Sequence, residues 1–150
     1  MRALVQRVTS ASVTVVGDDG DRTVSGRIGP GLCVLVGVTH DDGPDQARKL
    51  AAKVWNLRVM ADDDGVMNRS VGETGGAVLV VSQFTLYGDT ERGRRPSWVA
   101  AARPEHAEPL VSLVVDELRA LGATVETGRF RTHMEVALTN DGPVTLLLEV

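Results

Sequence analysis

"LTNDGPVTLLLEV", residues 138–150, joins two stretches of strand-like sequence across a Gly142-Pro143 step, and the reading of that step decides how the chain is folded. Asn140, Asp141 and Gly142 are turn formers, and Pro143 suits the opening of an edge strand, which gives a hairpin. The same residues carry a second reading. Gly142 has no Cβ to hold off a ligand, and an X-Pro bond adopts the cis form at modest cost, so a cis Gly-Pro points two carbonyls the same way. The residues alone leave both readings open.

Strand signals continue upstream, in "MEVALTN", "ATVETG" and "AVLVVSQFTLY". At the other end of the chain, "MRALVQRVTSASVTVVG" sets Val, Thr and Ser in near-alternation, and "DDGD" supplies turn chemistry before "RTVSGRI". The first forty residues read as a β meander. Two helices interrupt the strands. Ala47, Leu50, Ala51, Val54 and Leu57 recur at helical spacing after Pro44, a first-turn residue. Ala107, Leu110, Val111, Val114, Leu118 and Leu121 mark the second helix, ending near Gly122; Pro109 predicts a start at Glu108 or a bend there. The pattern predicts one α+β domain over residues 1–150, with a largely antiparallel sheet curled into a barrel-like core and two main amphipathic helices packed on it.

Composition bounds the function. The chain has 150 residues, 43% of them hydrophobic, enough to bury the core of one domain. A formal charge of −4 argues against indiscriminate nucleic-acid binding and leaves room for a local basic patch. The single cysteine, Cys33, lies in the apolar run "GLCVLVGV" and reads as core in a reducing compartment. No run approaches the roughly 18 apolar residues of a membrane span, and "MRALVQRV" lacks a signal-peptide core, so the expectation is a soluble, cytoplasmic protein.

His40, His106 and His133 show no metal-ligand spacing, and the dinucleotide, P-loop and nucleophile-elbow motifs are missing, so neither metal nor cofactor is expected. "ADDDG", residues 61–65, reads as a solvated turn. One place departs from bland strand sequence: in "VLVVSQFTLYG" an apolar run meets Ser82, Gln83, Phe84 and Thr85, polar groups that need partners. This is either a strand emerging into solvent or the rim of a pocket. No base for a serine-hydrolase triad is visible.

Taken with "KVWNLRV", "MNRSV", "GRRPSW" and the terminal segment, "MRALVQRV" and "VVSQFTLYGDT" resemble, in order and spacing, the D-aminoacyl-tRNA deacylases over nearly the whole chain. The resemblance implies a barrel-like homodimer that hydrolyses the ester linking a D-amino acid, or glycine, to the terminal adenosine of tRNA; glycyl-tRNA(Ala) is the expected glycine substrate. It implies further that Gly142-Pro143 is cis and enters the partner's pocket, where rigid carbonyls exclude an L side chain and pass D-residues and glycine. Arg7 is the implied anchor of that motif. Ser82, Gln83, Phe84 and Thr85 become the catalytic stretch, lining the pocket and presenting N–H groups while the substrate's 2′-hydroxyl assists, with Thr85 either a polar contact or a nucleophile. Phe84, Phe130 and Met134 are candidates for the adenosine surface. Arg92, Arg94 and Arg95, helped by Arg48, Lys49 and Lys53, are candidates for tRNA phosphates. In "GRFRTHMEV", Arg131-Thr132 stand where the family has Gly-Ala, which bears on pocket width. Two alternatives are a small-ester hydrolase using Ser82 or Thr85, and a non-catalytic module that binds the tRNA end.

Overall fold

A computed structural model describes residues 1–91 and 93–150; Arg92 lies outside the described residues. The organising strand is β1 (Arg2–Val16), which buries Ala3 and Val5, then Val8, then Ala11, Val13 and Val15. Strict alternation would keep one parity throughout. The two changes of phase, around Gln6-Arg7 and Thr9-Ser10, coincide with shifts of register against a neighbouring strand and let one long strand wrap the core.

Strands β2 (Arg22–Ile28) and β3 (Gly31–Gly37) both pair antiparallel with β1. Ala11 faces Ile28 and Val8 faces Gly31, so the register runs through the gap between them. The expected meander is therefore one long hairpin whose return arm is interrupted at Gly29-Pro30, where proline offers no N–H to the ladder.

Helix α1 (Pro44–Trp55) starts with proline in its first turn and turns Ala47, Leu50, Ala51 and Val54 inward. Then come β4 (Met60–Ala61) and β5 (Met67–Arg69), a small hairpin whose turn contains the acidic cluster. Asp62 accepts the N–H groups of Asp64 and Val66, and the Val66 bond is the first reason its carboxyl stays below the usual range. A single turn of helix, α2 (Val71–Thr74), is closed by a Ser70–Glu73 capping box.

Strand β6 (Ala77–Ser82) runs parallel to β3 and ends sooner than its sequence predicts. The Gln83 N–H still reaches the Val36 carbonyl at 2.7 Å, but Leu86 N–H bonds back to Gln83, and residues Phe84–Tyr87 form a 3-10 turn. Helix α3 (Pro104–Ala120) begins a turn ahead of Glu108 and keeps Pro109 inside it. Strand β7 (Val125–Thr127) lies parallel to β6 and returns to β2: a Cβ on Gly26 would come within 2.7 Å of the Thr127 carbonyl oxygen. The path β2-β1-β3-β6-β7 is thus curled into a nearly closed barrel of mixed sheet.

Val13, Ile28, Cys33, Leu79 and Val81 fill the barrel side of this sheet. Leu32, Val34, Val78 and Val80 meet Leu50, Val54, Val114 and Leu118 of the two main helices on the other. Each such side chain contributes about 1.5–3 kcal/mol through burial. Burial also pushes the Cys33 thiol up to about 11, so it behaves as a core residue. Among the described residues no helix is long and apolar enough to cross a membrane.

Strand β8 (His133–Glu149) settles the opening question. Both of its halves pair antiparallel with β1: Val16 faces His133 and Ser10 faces Thr139, then Gln6 faces Thr145 and Arg2 faces Glu149. Two arms of a hairpin would pair with each other, so Asn140–Pro143 is not a hairpin turn. It is a bulge on a continuous strand, and the Gly142-Pro143 bond in it is cis.

Candidate active site

The end of β6 opens into a cavity of about 670 Å³. Ser82, Gln83 and Phe84 form one wall, with Phe130 and Met134 on another, so five of the residues singled out from sequence share one space. The segment before and inside α3 supplies a third wall through Trp98, Ala101, Ala102, Pro104 and Ala107. Sequence reading gave none of these a place at the site. Small alanines and a tryptophan carry no chemical signature, and contacts such as the Thr39–Ala101 bridge and the Ala102 N–H to Val38 carbonyl bond, 2.9 Å, bring them beside β3.

Phe84 and Trp98 meet edge to face, ring centroids 5.3 Å apart, and both stay substantially exposed at the mouth. Such a pair is held by ring electrostatics as well as burial, by about 0.5–1.5 kcal/mol. Arg131 and His133 are the ionisable groups that line the cavity among the described residues, and no carboxylate joins them. A neutral-to-positive pocket of this kind suits a substrate bearing phosphate. The first N–H groups of the 3-10 turn, at Phe84 and Thr85, have no carbonyl a turn earlier within that turn, which makes the end of β6 a source of backbone donors.

Thr85 itself is exposed and is not among the cavity-lining residues; its hydroxyl accepts the side-chain amide of Gln83. Arg94 and Arg95 are exposed in the loop spanned by the Asp89–Ser97 bridge, while Arg92 falls outside the described residues. On α1, Arg48 is paired with Asp45 and Glu117, and Lys53 donates to the Glu149 carbonyl at 3.0 Å, leaving Lys49 as the cation of that group without a partner among the described residues.

A second locus is the β8 bulge. Arg7, most of its side chain buried, donates from Nε to the Asp141 carbonyl at 3.1 Å and pairs with the Asp141 carboxylate at 3.1 Å. Its Nη1 donates to the Val59 carbonyl at 2.7 Å, so one guanidinium ties the bulge to the segment between α1 and β4. The Asn140 amide completes the clamp, donating to the carbonyls of Arg7 and Val144, each at 3.0 Å. Gly142 has φ +152°, and a Cβ there would stand 2.4 Å from the Val144 nitrogen. The position admits glycine alone without rearrangement. Gly142 and Pro143 are exposed and do not line the cavity of their own protomer.

Comparison with known proteins places the chain in a family. Residues 4–149 match the model of a family described as D-Tyr-tRNA(Tyr) deacylase. A protein of Symbiobacterium thermophilum named D-aminoacyl-tRNA deacylase is 60% identical over 149 residues, covering 99% of this chain and 95% of the relative. One of Thermobifida fusca with the same name is 60% identical over 151 residues, covering 100% of both. Among solved structures, one named "c-Myc DNA Unwinding Element Binding Protein" superposes with TM-score 0.90 at 37% identity, covering 100% of this chain and 99% of its own. A structure described as a probable eukaryotic D-amino acid tRNA deacylase shares the fold, with TM-score 0.83 at 15% identity over 99% of this chain and 98% of its own.

Proposed function

This chain belongs to the D-Tyr-tRNA(Tyr) deacylase family and is a hydrolase acting on D-aminoacyl-tRNA, and from that premise we propose that it works as a homodimer in which the Gly142-Pro143 bulge of one protomer enters the partner's cavity and rejects L-aminoacyl esters. The observation that carries the reading is the position of the bulge. It is clamped and exposed, and the run of β8 that separates it from cavity-lining Met134 spans about 25 Å. A strand zipped to β1 cannot fold back over that distance. A second copy related by a two-fold axis brings bulge to cavity twice, once for each site. The edge of β8 away from β1 is unpaired among the described residues, and Val136, Leu146 and Leu147 are exposed on the strand, as an interface between copies requires.

In this reading selection acts on the configuration at Cα. The two carbonyls of the bulge occupy the space an L side chain needs, whereas a D side chain points away and glycine has none, so glycyl-tRNA(Ala) is cleaved too. Arg7 and Asn140 keep the carbonyls from yielding.

The chemistry asks little of side chains. Water adds to the ester carbonyl, the resulting oxyanion is met by N–H groups at the start of the 3-10 turn, and the C–O bond breaks with its 3′-oxygen taking a proton. The substrate's 2′-hydroxyl assists; Ser82, Gln83 and Phe84 hold the ester in place. The Gln83 amide engages the Thr85 hydroxyl, which supports a positioning role for Thr85 over a nucleophilic one. Phe130 and Met134 face the terminal adenosine, and Arg94 and Arg95 phosphates farther along the tRNA. This work belongs to the cytoplasm, where aminoacyl-tRNA is used.

The test is stereoselective turnover. Purified protein releases D-Tyr and glycine from their charged tRNAs and spares L-Tyr; equal hydrolysis of both tyrosyl enantiomers refutes the selection, and retention of tRNA without turnover favours a binding module. Sedimentation that finds only monomer at assay concentrations removes the cross-subunit part.

A further inference from the structure

A second, more polar groove of about 650 Å³ lies beside the cavity, between α3 and the β2/β7 seam. Ser82 and Phe130 line both spaces, so the two are neighbours across a shared wall. The chain crosses that wall in three consecutive residues. Arg129 lines the groove, Phe130 both spaces and Arg131 the cavity. The crossing is a fixed turn: the Thr132 hydroxyl donates to the Arg129 carbonyl at 2.9 Å. Arg131 takes φ +57°, the one left-handed non-glycine among the described residues. That conformation disfavours any L-residue, and its presence at a cavity wall points to a side chain kept for what it does there.

The charges are unequally engaged. Arg119 is 3.8 Å from Asp116 and also donates to the Val125 carbonyl at 3.4 Å, and Glu108 lies on the same groove. Arg131 stands 4.0 Å from Glu105, both side chains well exposed, where solvent screens the pair. Arg129 is exposed and has no ion pair among the described residues. Hydroxyls of Ser25, Ser112 and Thr127 line the groove between these charges.

We propose that this groove receives the tRNA nucleotides that precede the terminal adenosine, with Arg129 and Arg131 binding backbone phosphates on either side of the Phe130 ridge and the groove hydroxyls meeting ribose. The inference rests on the deacylase reading: an aminoacyl-adenosine held in the cavity remains covalently joined to its chain, which must leave through an adjoining opening. The ridge supplies cations where the strand crosses it. It also explains how an acidic protein engages tRNA, through a few phosphate contacts beside the reacting end and without a broad basic face.

The experiment compares two substrates, D-Tyr-tRNA and D-Tyr esterified to free adenosine, in wild type, R129A and R129E. The expected result is a rise of about tenfold in KM for the tRNA relative to the short ester in R129A, larger in R129E. R131G, which relieves the left-handed strain, is expected to raise Tm while KM for tRNA worsens. An unchanged KM ratio in R129A and R129E overturns the proposal, as does an R94A/R95A variant that alone accounts for the tRNA dependence. If wild type turns over neither substrate, the deacylase reading is what fails. Binding of uncharged tRNA then decides the groove: R129A lowers the slope of log affinity against log salt by about one if the contact exists, and leaves it unchanged if not.

Discussion

The two halves of β8 are laid against the same partner and present different groups. From His133 to Thr139 the strand holds register with β1, and His133, Met134 and Val136 line the cavity. Past Asn140 the register slips, and what the strand presents is main chain, held by the Arg7 guanidinium and the Asn140 amide. In the proposed reading the first half recognises with side chains, which adapt by changing rotamer. The second does so with carbonyls that cannot rotate out of the way. If the bulge is the selector proposed above, the contrast teaches how a pocket accepts many amino acids and is still strict about handedness: tolerance and strictness are assigned to different parts of one strand.

Substitutions separate the halves. The largest effect is expected from Gly142→Ala. Its Cβ meets the Val144 nitrogen at 2.4 Å, so the bulge must move, and a displacement near 1 Å in a positioning element costs about 100-fold. The D-over-L ratio of kcat/KM should fall by that order while the exposed site leaves Tm close to wild type. A ratio that stays put would show that the bulge is not the selector. Next is Arg7→Ala, which removes the tether but not the glycine. The ratio is expected to drop about tenfold, equivalent to about 1.4 kcal/mol, and Arg7→Lys should rescue it poorly because a single ammonium cannot reproduce the fork of donors.

The side-chain end predicts a different signature. Trp98→Ala loses the edge contact with Phe84, and KM should rise about threefold to tenfold for D and L substrates alike, with the ratio unaltered. A change in the ratio would blur the division between the halves. The smallest expected effect is on Cys33, which reports the barrel under both. With burial pushing its thiol up to about 11, it should resist labelling at pH 8 in every variant above. Because the folded thiol titrates above its ordinary 9.0, the associated stability is complete below pH 9 and declines as pH climbs through about 11. Labelling at pH 8 in Gly142→Ala would mean that the lesion had spread beyond the bulge.

Much of this was legible in the residues. Leu50 and Val54, or Leu110 and Val114, could only make amphipathic helices, and the alternation of "ASVTVV" could only make a strand with one wet face. What the residues left open and what they misled on share a cause. "NDGP" carries the chemistry of a hairpin turn, and whether it turns the chain or bulges from it depends on β1, more than a hundred residues away, which pairs with both flanks. The meander failed for the same reason, since local turn signals do not say which edge the returning strand will take. At the site, Ser82 and Phe84 were visible as polar and aromatic groups at the end of an apolar run. Ala101 was not, because it becomes a wall only when α3 packs and draws its leading segment against β3.

The pairing of β1 with β8 has a consequence for kinetics. All of this sheet's longest seam joins residues that are distant along the chain, so its contact order is high and zipping must await loop closures that local contacts do not reward. Until then β1 offers a bare row of amides and carbonyls to any passing strand. The protein is therefore expected to refold slowly, and to be most vulnerable to aggregation before its ribbon is sealed.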